Sequence, residues 1–60
     1  MKEWKFDLRA KVCLVQSGEE GIVIGRAESI GHVDQYHLRY TASDGRLVEG
    51  WWDEGAIQRF

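Results

Sequence analysis

Sixty residues with one cysteine and no proline leave room for a single domain and exclude an internal disulfide or a thiolate-built structural zinc site. The net charge of −2 argues against a broad nucleic-acid footprint. Three Trp, two Tyr and two Phe therefore point to an aromatic-rich core, to assembly between copies, or to both.

Residues 1–60 read as one domain, with 1–9 an N-terminal strand or arm. From Trp4 to Leu14 the even positions read Trp, Phe, Leu, Ala, Val, Leu, against Lys5, Asp7, Arg9, Lys11 and Cys13 at the odd ones. This alternation predicts a half-buried strand, with a bend near Leu8–Ala10 because eleven residues exceed a usual strand. A short helix over the first ten residues is the alternative, since Trp4 and Leu8 are four apart. Gln16 to Gly21 is a polar turn, and Ile22-Val23-Ile24 opens a β-branched strand. Gly25 marks a bulge or bend in it, and the strand is expected to run on toward Ile30. Gly31 to Gln35 is a polar loop.

Tyr36 to Thr41 alternates again, Asp44-Gly45 signals a hairpin, and Leu47 to Trp52 is the return strand. Asp53 to Ile57 reads as one helical turn with Asp53 as cap and Ile57 facing inward. Gln58 to Phe60 forms a last short strand. The fold class expected is all-β: a small closed or half-open barrel of about five strands, with one helical turn before the last.

The hairpin register decides the tryptophans. A two-residue Asp44-Gly45 loop would set Tyr40 opposite Glu49 and place a carboxylate on the apolar face. A three-residue Ser43-Asp44-Gly45 loop sets Tyr40 opposite Val48, Tyr36 opposite Trp52 and Arg39 opposite Glu49. The second register is preferred, because it pairs opposite charges and buries apolar groups. Trp52 then belongs to the core. Trp51 stands outside with His37, Arg39 and Glu49, because neighbours on a strand point to opposite faces.

The cadence Lys11-Val12, Gly21-Ile22-Val23, Tyr36-x-Leu38-Arg39-Tyr40, Asp44-Gly45-Arg46, Trp52 and Ala56-Ile57 resembles SH3-like barrels. Within them it is similar to Tudor-type and KOW-type modules and to short barrel proteins of bacterial and prophage genomes. The resemblance covers about residues 10–60 and implies the barrel; it is weak for function, because the fold hosts many activities. Tudor-type modules hold methylated Lys or Arg in an aromatic cage, but the loop Gln16–Gly21 supplies no aromatic here. Type II dihydrofolate reductase, another small SH3-like barrel, uses a Val-Gln-Ile-Tyr strand. The matching stretch here, Glu49-Gly50-Trp51-Trp52, lacks the glutamine and the tyrosine.

No nucleophile stands near a base in sequence, and His32 and His37 fit no zinc spacing, so neither an enzyme, a cofactor nor a metal is expected. Residues 1–15 hold charges throughout, unlike a secretion leader, and no apolar run approaches a membrane span, so a cytoplasmic location is expected. Ile22 and Ile24, opposite Val23, together with Trp51 and the apolar alternation at Trp4-Phe6, make more apolar surface than a monomer of this size should show, unless a curved strand buries the two isoleucines. The functional expectation is a non-enzymatic module that binds a protein partner or itself through Trp51, Arg39, His37, Glu49 and Arg46. The alternative is a nucleic-acid-binding accessory protein, with Trp51 stacked on a base and Arg26, Arg39 and Arg46 on phosphates.

Overall fold

The computed structural model describes residues 2–60, which form five antiparallel strands. They are β1 (Lys11–Leu14), β2 (Glu20–Ala27), β3 (Gln35–Thr41), β4 (Leu47–Asp53) and β5 (Ile57–Arg59), with a 3-10 turn at Glu54–Ala56 before β5. The order across the sheet is β4-β3-β2-β1-β5, so β4 and β5 are edges and the sheet is not closed. No helix among the described residues is long and apolar enough to cross a membrane.

The β3–β4 hairpin adopts the three-residue loop. Its partners are Tyr36 with Trp52, His37 with Trp51, Arg39 with Glu49 and Tyr40 with Val48. Gly45 takes the left-handed conformation, φ 90°, that closes such a loop at no steric cost. The Asp44 carboxylate accepts the Arg46 backbone N–H, which stiffens the tip.

In β2 the expected bulge is present: Val23 pairs with Leu38 and Gly25 with His37, so Ile24 is the extra residue. The extra residue breaks the simple alternation. Val23 is fully buried, Ile22 is exposed and Ile24 lies between. The strand stops at Ala27 rather than running to Ile30, whose side chain is fully exposed.

The long alternation at the start of the chain needs correction. Only Lys11–Leu14 is strand, and residues 2–10 contain neither strand nor helix. Ala10 N–H donates to Asp7 O at 3.1 Å, forming a turn, and Arg9 within it has φ 71°. A non-glycine residue in that region costs on the order of 1 kcal/mol. The Arg9 N–H recovers part of this by donating to Val23 O at 2.7 Å. The kink re-aims the apolar side chains: Phe6 is buried, whereas Leu8 is half exposed despite its even position.

Phe6 packs with Val12, Leu14, Val23, Tyr36, Leu38 and Ile57 in one cluster, flanked by Trp4, Ala10, Tyr40 and Trp52. Tyr36 is fully buried, so its hydroxyl needs a partner. It accepts the backbone N–H groups of Lys5 and Phe6, at 3.0 and 3.3 Å. The Phe6 and Trp4 rings meet Tyr36 edge-on at 5.2 and 6.0 Å. The Lys2 ammonium and the Arg26 guanidinium lie over Trp4, and Lys2 also bonds Asp34 at 3.1 Å. The hydrogen bond to Asp34, only partly opposed by desolvation, holds the Lys2 pKa above its ordinary value.

Two further local features matter. Asp53 makes no side-chain cap to the 3-10 turn, contrary to expectation. Its carboxylate instead accepts from Gln35 Nε2 at 3.0 Å across the strand pair. Gly21 is needed for close approach, because a Cβ there would stand 2.8 Å from Arg39 O and 2.9 Å from Tyr40 Cβ. Gly21→Ala is therefore expected to cost about 1–3 kcal/mol by forcing β2 and β3 apart. Urea titration checks this, and an unchanged midpoint would contradict the close approach.

Candidate interaction face

The alternation that buries Tyr36 and Leu38 turns His37 and Arg39 of β3 outward, beside Trp51 and Glu49 of β4. Cross-strand pairing then joins them in one cluster. The His37 and Trp51 rings stack at 4.7 Å with 16° between planes. Glu49 Oε2 accepts from Arg39 Nε and lies 2.8 Å from Nη2, and Oε1 lies 4.0 Å from His37 Nε2. One carboxylate therefore faces both the Arg39 guanidinium and the His37 imidazole of β3. Such an exposed pair is worth about 0.2–1 kcal/mol, so its main effect is orientation rather than stability.

Trp51 keeps 50% of its surface exposed while one of its faces rests on His37. The bulge contributes here. Gly25 is the β2 partner of His37, and a Cβ at Gly25 would stand 3.1 Å from His37 Cβ. The absent side chain leaves the imidazole room beneath the indole. Trp52, on the opposite face, turns inward, meets Tyr40 edge-on at 5.1 Å and lies over Gly50, whose Cβ would touch its ring at 2.8 Å.

Of the five residues expected at the site, four come together. Arg46 stands apart at the hairpin tip, where its Nε donates to Asp44 Oδ2 at 2.7 Å.

Beside the cluster the same outer face carries a hollow of about 410 Å³. Lys11, Ile22, Arg39, Leu47 and Phe60 line it, and Arg39 belongs to both features. Ile22, Leu47 and Phe60 are exposed. Leu47 was expected on the outer face from the hairpin register, whereas Phe60 did not stand out in the sequence, because its place depends on β1 pairing with β5, the strands farthest apart in the chain. That pairing carries Phe60 to Lys11, whose carbonyl accepts the Phe60 N–H at 3.4 Å. Ile22 did show a signal, its outward position opposite Val23.

Comparison with protein-family models, with curated proteins and with solved structures returns no match. The chemistry of the face must therefore be read from its own residues. Among the described residues no group of three or more His, Cys, Asp or Glu side chains is placed to hold a metal ion. The face offers an aromatic plane, an oriented guanidinium and an apolar hollow.

Proposed function

We propose that this chain is a non-enzymatic interaction module of SH3-like type that binds a protein partner, or a second copy of itself, through the outer face of β3 and β4. The strand order, the three-residue hairpin and the 3-10 turn before β5 support the SH3-like assignment. One observation carries the functional reading: Trp51 is half exposed yet already held in place by His37. A large aromatic fixed before binding loses little conformational freedom on contact, and Trp and Arg are frequent energetic anchors.

The guanidinium groups bear on the nucleic-acid alternative. Arg39 is engaged by Glu49, Arg46 by Asp44, and Arg26 lies over Trp4. A phosphate would have to displace a carboxylate at two of these three positions, which weighs against that reading.

Photo-crosslinking in the native host tests the proposal. A benzophenone side chain placed at Thr41, on the outer face, should give a covalent protein adduct, whereas the same group at Ser17 in the β1–β2 turn should not. Absence of any adduct at Thr41 would remove the proposal. An adduct to nucleic acid there would replace it with the alternative.

A further inference from the structure

We infer that the occupant of this face is a second copy of the chain, bound by reciprocal exchange. Trp51 of each copy enters the hollow between Leu47 and Phe60 of the other. The inference rests on the interaction-module reading of the same face and names its partner.

The face is self-complementary in shape. It carries one projecting aromatic, Trp51, and one apolar hollow lined by Ile22, Leu47 and Phe60. On β4 the order is Leu47, Glu49, Trp51, so projection and hollow wall are about 13 Å apart at strand rise. Glu49 lies midway. A two-fold axis near the Arg39–Glu49 pair brings each Trp51 to the other copy's hollow, the arrangement a closed isologous dimer requires.

The face is also self-complementary in charge. Lys11 and Arg39 stand against Glu20 and Glu49, so two like faces meet without net repulsion. At the axis the two Arg39–Glu49 pairs come together, and each guanidinium faces a second carboxylate. A partner of strong single-sign charge would find no matching field on this face.

The surface area agrees. The exposed side chains of Ile22, Leu47, Trp51 and Phe60 on this one face are the apolar surface that such a pair would withdraw from water, an area in the range of a small, reversible interface. Dissociation on the micromolar scale is the matching expectation.

Sedimentation velocity over on the order of 10 to 500 µM tests this. The parent chain should pass from monomer to dimer. Trp51→Ala removes the projection and Leu47→Glu fills the hollow with charge. Each alone should weaken dimerisation at least about tenfold. Both positions are exposed, so circular dichroism should show intact folding; Phe60→Ser is the second hollow variant should Leu47→Glu unfold.

Mixing is the decisive step. A dimer of one Trp51→Ala copy with one Leu47→Glu copy keeps one intact contact, so the mixture should associate more tightly than either variant alone. A chain monomeric throughout this range overturns the second-copy assignment, and a Thr41 adduct to a different protein would then leave the interaction module standing. A dimer untouched by both variants, or a mixture no tighter than its parts, overturns the reciprocal contact.

Discussion

Replacing Phe6 with alanine is expected to remove about 3–5 kcal/mol of stability and to leave most molecules unfolded at 25 °C. A domain of this length holds only about 3–9 kcal/mol in total. Phe6 is 3% exposed, and it fills the core from a segment that belongs to no strand. Its ring meets Tyr36 edge-on, and its N–H is one of two that the Tyr36 hydroxyl accepts. Loss of the ring leaves a cavity and frees the segment that satisfies this buried hydroxyl, so the transfer and hydrogen-bond costs fall together. Leu8→Ala, two residues on and half exposed, is the internal control and should change stability by less than about 1 kcal/mol. Urea titration followed by far-UV circular dichroism measures both. A Phe6→Ala midpoint close to that of the parent would show that the N-terminal segment is dispensable to the core.

The adjacent tryptophans should behave as opposites. Trp52→Ala is expected to cost about 3 kcal/mol, the low end for a tryptophan, because Trp52 keeps some contact with solvent. Its ring closes the far end of the core against Tyr40 and covers the backbone at Gly50. Trp51→Ala should cost under about 1 kcal/mol, since it gives up chiefly the stack on His37. Thermal unfolding of the two variants at low protein concentration, where self-association does not contribute, gives the comparison. Equal destabilisation by both would show that Trp51 is a structural residue and would remove the basis for a binding face.

This opposition was legible in the sequence for a physical reason. The hairpin is local: Ser43-Asp44-Gly45 sets the loop, and pairing Arg39 with Glu49 selects the register. Once the register is set, strand alternation assigns every side chain from Tyr36 to Trp52 to a face. The cluster of His37, Trp51, Arg39 and Glu49 follows from that assignment without any long-range information. The bulge at Gly25 was likewise marked by a glycine inside a β-branched run.

The start of the chain was less legible. Alternation from Trp4 to Leu14 is what a strand produces, yet a strand also needs a partner ladder. The ladder between β1 and β2 ends at the pair Lys11–Ile22, just before the bulge at Ile24, so residues ahead of Lys11 have no strand partner. The chain turns at Asp7–Ala10 instead and lays Trp4 and Phe6 against Tyr36. The periodicity marked Trp4 and Phe6 as an apolar pair and counted them toward exposed surface; the turn corrects this by burying Phe6 in the core.

By itself, then, the sequence determined the local elements: the β-branched second strand, the hairpin, its register, and hence which tryptophan faces out. Those depend on φ preferences and on side chains a few residues apart. Only the tertiary structure decided the rest: the pairing of β5 with β1, the kink that seats Phe6, and the hollow where Phe60, Lys11, Ile22 and Leu47 meet beside Trp51. These contacts join residues up to nearly fifty positions apart. No local pattern encodes such contacts, because they arise where the whole chain buries its apolar surface at once.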